Sequence, residues 1–310
     1  MVTELERQVV LPIITAALKE DIGPRDVTTS VLIPKGQIAK AELVVREEGV
    51  IVGLEVAEWT FGQIDAKVQF QSTVPDGTKA FPGKAVAFVE GPARGILMAE
   101  RTALNFLGRM SGIATLTRAF VDKVKRTSVQ IMDTRKTTPT LRLLEKYAVA
   151  AGGGIPHRMG LYDQVLIKDN HLRLMATRIP SPFPSPLRGE GGVRGPSAIE
   201  VAVKEARAKL QRQLVIEVEV GNLQEFRQAL AAQADIILLD NMKLNQIQEA
   251  VRLRNAVSRS KRGRKPLLEV SGGVTLENVG PIAAAGIERI SIGALTHSAP
   301  ALDLALELLG

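Results

Sequence analysis

From residue 129 the chain keeps a regular beat. Short runs rich in β-branched residues recur as VQIMD (129–133), QVLIK (164–168), LVIEVEV (214–220), DIILLD (235–240), LLEVS (267–271) and RISIG (289–293). Helical patterns separate most of them: PTLRLLEKYAVAA, AIEVAVKEARAKL, LQEFRQALAA, LNQIQEAVRLRNAV and LENVGPIAAAG. Repeated strand–helix units imply a parallel sheet with helices on its outside, because parallel neighbours need a long crossover. Six such units favour a barrel, complete or incomplete, over a doubly wound sheet. No Gly-x-Gly-x-x-Gly follows a first strand, which also argues against a dinucleotide-binding fold.

The preceding part has a different texture. Residues 1 to about 110 read as a small α+β domain. MVTELERQVVLPIITAALKEDIG carries Glu4 and Glu6 ahead of its apolar part and reads as an amphipathic helix, not a signal peptide. IAKAELVVREEGVIVG alternates like a strand pair, and LEVAEWTFGQI reads as a helix. TVPDGTKAFPGKAVAFVEGPA is a strand–turn–strand segment, punctuated by Pro75-Asp76-Gly77 and Pro82-Gly83. From Gly95 one long helical pattern bridges the two parts, with Gly108 and Gly112 as candidate breaks. Two stretches stand outside the beat. The Pro/Gly/Ser-rich 177–197 segment reads as a flexible surface insertion, and SRSKRGRKP (258–266) as a solvated helix end and loop.

Composition narrows the chemistry. The chain has no cysteine, so disulfides, thiolate zinc sites and cysteine nucleophiles are excluded, as fits a cytoplasmic protein. Any metal must be held by oxygen or by the three histidines. A net charge of +7 points to anionic partners: nucleic acid, a membrane surface, or phosphorylated and carboxylated small molecules. An aromatic content of 4% weakens the case for single-strand binding by base stacking, and no apolar run approaches a membrane span.

In a βα barrel, function gathers where strands end. Here the strands deliver, in order, Thr134-Arg135-Lys136, Lys168 followed by Asp169-Asn170-His171, Glu217 and Glu219, Asp240-Asn241, Ser271-Gly272-Gly273, and Gly293-Ala294. Three kinds of chemistry result. Arg135, Lys136, His157, Arg158 and Lys168 form a cationic set; crowded cations repel, so they call for a guest with several negative charges. Glu219 and Asp240 are oxygen donors suited to Mg²⁺, although an ion pair with a nearby lysine is the plainer reading. SGGVTLEN and IGALTHS place small residues between strand and helix, where free N–H groups receive phosphate. His297 either completes that end or serves as a cap. Arg101, on the bridging helix beside Glu100 and not far from Arg109, is by sequence alone a helix-surface arginine.

These stretches also carry a resemblance. ERTALNFLGRMSGIAT, DTRKTTPTLRLLEKYAVAAGGGIPHRMGLYDQVLIKDNH, EVEV, ILLDNM, EVSGGV and SIGALTHS, in this order over nearly the whole chain, closely resemble the quinolinate phosphoribosyltransferase family. The resemblance implies an α/β sandwich domain (1–110) and an open α/β barrel (111–295) interrupted by the 177–197 insertion. A C-terminal helix over 296–310 is expected to pack back on the N-terminal domain. It implies transfer of phosphoribose from phosphoribosyl pyrophosphate to quinolinate with Mg²⁺ and loss of CO₂. By motif match, Arg101, Thr134, Arg135, Lys136, His157, Arg158 and Lys168 surround quinolinate and nearby phosphates. Glu219 and Asp240 hold the ribose hydroxyls and Mg²⁺. Ser271, Gly272, Gly273, Gly293 and Ala294, with His297, cradle the 5′-phosphate. Lys136, Lys168, Glu219 and Asp240 are the implied catalytic groups. A homodimer is implied, or a hexamer as a trimer of dimers, with Arg101 donated across the dimer; no nucleic acid or membrane partner is expected. One departure stands out, since relatives usually run from KDNH fairly directly into the next helix. A related phosphoribosyltransferase acting on another base, such as the paralogue found alongside molybdate transport, is the first rival reading, and a nucleic-acid binder the second.

Overall fold

The computed structural model of the chain describes residues 4–176, 196–210, 214–258 and 265–310. Most of the 177–197 insertion and the heart of the 258–266 basic stretch lie outside the described residues. The chain divides into two compact units. The first comprises Met1–Asp122, Met132–His157 and Gly293–Gly310; the second comprises Lys123–Ile131 and Arg158–Ile292.

The first unit opens with the expected helix, Arg7–Ile22. Strands β1 (Ile38–Val45), β2 (Gly49–Ile51), β3 (Gln69–Ser72), β4 (Thr78–Ala80) and β5 (Ala85–Pro92) follow. β1 runs antiparallel to β5, with Ala41 opposite Val89 and Leu43 opposite Ala87, and β3 extends the sheet beyond β5. Alternation sets which face is inside: Ala41 and Leu43 are fully buried, while Lys40 pairs with Glu90 at 2.9 Å on the wet face. β1 and β2 read as a strand pair in the sequence but do not pair. Both edges of β1 are occupied, so β2 joins β4 in a separate two-stranded sheet. Helix Leu54–Ile64 sends Ala57 and Phe61 onto the inner face, and Ile96, Ala99 and Ala103 of a second helix join them against Val89. Each fully buried large side chain contributes roughly 1.5–3 kcal/mol.

That second helix, Ala93–Val124, runs unbroken for 32 residues. Gly108 and Gly112 are not breaks. A Cβ on Gly112 would lie 1.8 Å from the Pro300 carbonyl oxygen, and one on Gly108 would lie 2.9 Å from that of Leu302. The Leu302 N–H donates to the Gly108 carbonyl at 2.9 Å. The glycines form a groove in the helix surface against which a backbone lies. No described helix is long and apolar enough to cross a membrane.

The six β-rich runs of the sequence become β6 (Gln130–Met132), β7 (Val165–Ile167), β8 (Ile216–Val220), β9 (Ile236–Asp240), β10 (Leu267–Ser271) and β11 (Arg289–Ser291). They form one sheet in the order β6-β11-β10-β9-β8-β7, and the pairings from β7 through to β11 are parallel. This is the strand order of a βα barrel opened between β6 and β7, two strands consecutive in the chain yet at opposite edges. The expected open α/β barrel architecture is therefore present. Val218, Val220, Ile237, Leu239, Leu268 and Val270 are buried in it, and crossover helices such as Ala198–Lys209 and Leu223–Ala231 alternate with the strands. Ser197 starts the first of these with a full capping box to Glu200, and Asn222 caps the second through two N–H groups.

The C-terminal segment corrects the sequence reading. Residues 304–309 form a strand, β12 (Leu304–Leu309), not the C-terminal helix expected over 296–310. Leu302, Leu304 and Leu306 recur at a period of two, and Asp303 and Glu307 alternate with them. β12 lies antiparallel on β1, Leu306 opposite Leu43, and completes the four-stranded sheet β12-β1-β5-β3. The edge of β1 that β5 leaves unpaired favours strand over helix here, because pairing with β12 satisfies both backbones and seats the leucines on the core.

Candidate active site

In the second unit, register decides which strand-end groups share a face. Ile167 lies opposite Val218, Glu219 opposite Leu238, and Asp240 opposite Ser271. Residues in register point to the same side, and the side repeats every second residue. Lys168, Glu219, Asp240 and Ser271 therefore emerge on one face at the C-terminal edge of β7–β10. The Lys168 ammonium meets Glu219 Oε2 at 2.5 Å, which makes the plainer ion-pair reading of Glu219 real. Glu217 lies on the same face but deeper, fully buried, accepting from the Gln164 amide at 2.6 Å. His171 is turned back on its loop, its Nδ1 accepting from the Lys168 N–H at 2.9 Å.

Asn241 ties the next two strand ends together. Its N–H donates to the Ser271 carbonyl at 2.9 Å and its side-chain amide to Asp240 Oδ2 at 2.8 Å. It sits at φ +53°, in the left-handed region that Asn tolerates better than most residues. Gly272 lies so close that a Cβ there would fall 2.2 Å from Asn241 Oδ1, and its own φ is +89°. Gly273 follows at φ +60°, its carbonyl accepting from the Asn278 amide at 2.9 Å. Ser271-Gly272-Gly273 is thus a tight turn that exposes backbone at a strand end, which suits close approach of a phosphate.

Arg158 precedes a short turn and donates through Nη1 to the Gln164 carbonyl at 3.1 Å. Asp163 closes this turn, accepting from the N–H groups of Met159 (2.7 Å) and Gly160 (3.0 Å). Partial burial works to raise the Asp163 carboxyl, but the Gly160 and Met159 N–H groups outweigh it and hold the group below the usual carboxylate range.

In the first unit, Asp133 and Lys146 are buried together. The Lys146 ammonium lies 2.7 Å from both Asp133 oxygens and 2.9 Å from the His157 carbonyl, while the His157 N–H donates to Asp133 at 2.6 Å. The pair fixes His157, which is itself buried. Burial pushes the Asp133 carboxyl up, and Lys146 and the His157 N–H pull against that. Thr134 Oγ1 accepts from the Lys136 N–H at 3.0 Å. Among the described residues the Nε of Arg135 is buried without a hydrogen-bond partner, a cost that an anionic guest would remove. Lys136 packs at Gly293: a Cβ added there would be 3.1 Å from Lys136 Cδ and 3.1 Å from His297 Nε2. Ala294 begins the short helix Ala294–His297, and His297 Nδ1 contacts Ser298 Oγ at 2.6 Å. Arg101 is exposed on the long helix. Burial raises its neighbour Glu100, and Arg101 partly offsets the rise.

Structure therefore brings together Lys168 with Glu219, Asp240 with Ser271 and Gly272, and Lys136 with Gly293 and His297. Sequence reasoning passed over Asp133, Lys146 and Glu145, and it left Arg109 and Asn241 without a role. A signal existed for Lys146. It falls among Leu144, Ala148 and Val149 in RLLEKYAVAA, so its helix buries a charge along with its apolar residues.

An open βα barrel with cations, carboxylates and glycine turns at its strand ends defines an α/β-barrel enzyme built for anionic substrates. Two family models match: quinolinate phosphoribosyl transferase N-terminal domain over residues 26–111 and its C-terminal domain over 113–307. A nicotinate-nucleotide pyrophosphorylase (carboxylating) of Mycobacterium leprae is 40% identical, over 99% of this chain and 100% of its own. A quinolinate phosphoribosyltransferase (decarboxylating) of Nicotiana tabacum is 38% identical, over 96% and 81%. The solved nicotinate-nucleotide pyrophosphorylase of Francisella tularensis superposes with a TM-score of 0.85 at 35% identity, over 100% of this chain and 99% of that one. The chain belongs to the quinolinate phosphoribosyltransferase family.

Proposed function

We propose that this chain transfers phosphoribose from phosphoribosyl pyrophosphate to the ring nitrogen of quinolinate, releasing pyrophosphate and CO₂ and giving nicotinate mononucleotide in NAD biosynthesis. The observation that carries the reading is the shared face of Lys168, Glu219, Asp240 and Ser271 at one sheet edge. It sets a cation, two carboxylates and a glycine turn side by side, as a charged sugar phosphate requires.

The roles are those the family resemblance implies, and the charges of the residues accord with them. Arg101, Thr134, Arg135, Lys136, His157, Arg158 and Lys168 receive the two carboxylates of quinolinate and the nearby phosphate oxygens. Ser271, Gly272, Gly273, Gly293, Ala294 and His297 receive the 5′-phosphate through backbone N–H groups and small side chains. Lys136, Lys168, Glu219 and Asp240 act on the reacting sugar: the lysines neutralise the departing pyrophosphate, and the carboxylates hold the ribose hydroxyls. As the C1–O bond stretches, the ribose gains oxocarbenium character and the pyridine nitrogen attacks C1. Preorganised charge and positioning supply most of the acceleration. The quaternised ring nitrogen then accepts the electron pair left when the adjacent carboxylate departs as CO₂, and a proton takes its place. No side-chain nucleophile is used, so a chain without cysteine loses nothing.

Glu219 and Asp240 are hard oxygen donors on one face, each sharing a single oxygen with a neighbour, Lys168 Nζ or the Asn241 amide. That donor set fits Mg²⁺, which keeps several waters and one or two carboxylates. Mg²⁺ there would supply charge neutralisation for the pyrophosphate. The assembly is a homodimer, or a hexamer as a trimer of dimers, with Arg101 donated across the subunit boundary; its exposed place on the long helix accords with that. The setting is cytoplasmic.

Purified protein supplied with quinolinate, phosphoribosyl pyrophosphate and Mg²⁺ should release CO₂, pyrophosphate and nicotinate mononucleotide in equal amounts. No CO₂, together with turnover of another base, would overturn the assignment.

A further inference from the structure

Lys136 lies on a segment held by more bonds than a surface loop needs. Its carbonyl accepts from Thr296 Oγ1 at 2.8 Å. Thr137 Oγ1 accepts from Arg142 Nε at 2.9 Å. The Thr138 N–H donates to Glu145 Oε2 at 3.1 Å. Three successive residues are thus tied to different partners.

The ties close into a ring. Glu145 Oε1 accepts from Arg109 Nη2 at 2.7 Å and from Nε at 3.2 Å. Arg109 reaches on to the Thr296 carbonyl through Nη2 and to the Ala299 carbonyl through Nη1 at 3.0 Å. Thr296 returns to Lys136. The path runs Lys136, Thr138, Glu145, Arg109, Thr296 and back. Glu145 and Thr296 are almost wholly buried, so these bonds act at low local dielectric, where geometry is held firmly. Further along the same segment Thr140 sits at φ +69°, a left-handed conformation unfavourable for a β-branched residue. Such a conformation persists where its surroundings over-determine it.

We propose that Arg109, Glu145 and Thr296 are positioning residues that fix the Arg135–Thr138 backbone and so aim Lys136, and Arg135 beside it, at their substrate. None of the three touches substrate in this scheme. The proposal rests on the phosphoribosyltransferase reading above. A simpler alternative is that the ring only glues the helix Arg142–Ala151 to the helix Ala93–Val124. The two differ in what a light lesion does. Glue alone lowers the melting temperature and leaves the folded enzyme as fast as before. Positioning slows it while it is fully folded, since small misplacements of a catalytic group cost on the order of 10²-fold in rate.

Thr296→Val removes one hydroxyl at nearly constant volume; it cuts the tie to Lys136 and the hydroxyl's longer, local bond to the Gly293 carbonyl at 3.2 Å, and leaves the bonds of Arg109 and Glu145 in place. Thr296→Ser restores the hydroxyl. Glu145→Gln removes the charge at the centre of the ring. Each variant is assayed well below its melting temperature for kcat and KM with both substrates, and by amide hydrogen exchange over residues 134–141. The expected result for Thr296→Val and Glu145→Gln is a fall in kcat/KM of about tenfold or more, with faster exchange over 134–141 and unchanged exchange in β1 and β5. Thr296→Ser should recover most of both. Unchanged kinetics in a folded Thr296→Val enzyme would overturn the proposal, with or without faster exchange. So would a loss that Thr296→Ser fails to repair. If Glu145→Gln does not fold, the threonine pair decides alone. A wild-type protein that makes no nicotinate mononucleotide would count against the functional reading instead, which keeps the two failures apart.

Discussion

Lys146 and Asp133 meet in a fully buried ion pair, with the ammonium 2.7 Å from both carboxylate oxygens. The pair joins a helix to the segment that leaves β6, and through the His157 N–H and carbonyl it holds that histidine as well. Breaking a buried pair from one side is severe, because the remaining charge stays desolvated. Lys146→Met should destabilise the protein by about 3–5 kcal/mol, read as a lower denaturant midpoint. The double variant Lys146→Met/Asp133→Asn should be much less harmed than the single one, because no charge is left stranded. A single variant as stable as wild type would refute this account of the pair.

The long helix makes a second expectation. Gly112→Ala places a methyl 1.8 Å from the Pro300 carbonyl oxygen, a backbone atom that no rotamer change can move. Overpacking typically costs about 1–3 kcal/mol, and this contact lies beyond ordinary overpacking. Relief requires the 300–302 segment to lift, which strains the Leu302–Gly108 hydrogen bond and β12 behind it. A drop in melting temperature with faster amide exchange in β12 is the expected outcome. Gly280→Ala, where an added Cβ meets nothing within 4 Å among the described residues, is the neutral control.

The open barrel was legible because a period-two apolar run and a period-3.6 run alternate so regularly that only a parallel sheet with outer helices accommodates them. Strand ends were legible for the same reason: once β8 and β9 are placed, Glu219 and Asp240 must stand at their C-terminal edges. Three things were not. β12 looked helical because leucine serves both periods, and the deciding factor was the edge of β1 opposite β5, far away in sequence, which β12 fills. β1 and β2 alternate like a hairpin, yet both edges of β1 are taken. Arg109 and Glu145 have no role in the sequence reading, because nothing local shows that they face each other. Asn241 lies between these extremes. An Asn directly after a strand-end Asp is a common left-handed residue, but its grip on Asp240 and Ser271 depends on register.

Asp163 yields a pH prediction of definite sign. Its carboxylate accepts two backbone N–H bonds and is held below the ordinary 3.8. A depressed folded pKa adds stability that is fully present above the unfolded value and is lost as pH falls through the folded one. The turn after Arg158 should therefore keep its protection down to about pH 4 and loosen only in stronger acid. Amide exchange at Met159 and Gly160 reports this directly. Asp163→Asn should remove the acid dependence of those two amides; a dependence that survives the substitution would assign it to another group.

Gly272 tests the proposed phosphate turn. Its φ of +89° and the 2.2 Å separation of a virtual Cβ from Asn241 Oδ1 leave no room for a side chain. Gly272→Ala must push Asn241 aside, and Asn241 carries hydrogen bonds to Asp240 and to the Ser271 carbonyl. The lesion lies at an exposed strand end, so stability should fall by no more than about 1–3 kcal/mol. Function should fall further, because the backbone N–H groups that would receive the phosphate are displaced together with the Asp240 carboxylate. The expected signature is a KM for phosphoribosyl pyrophosphate raised about tenfold or more, with a much smaller change in the KM for quinolinate. Asn241→Ala removes the obstruction along with the tether. Combined with Gly272→Ala it should relieve the strain in the melting curve without restoring the KM. If the double variant instead regained wild-type affinity, Asn241 would be a mere obstacle to the turn and not the residue that joins two strand ends into one phosphate site.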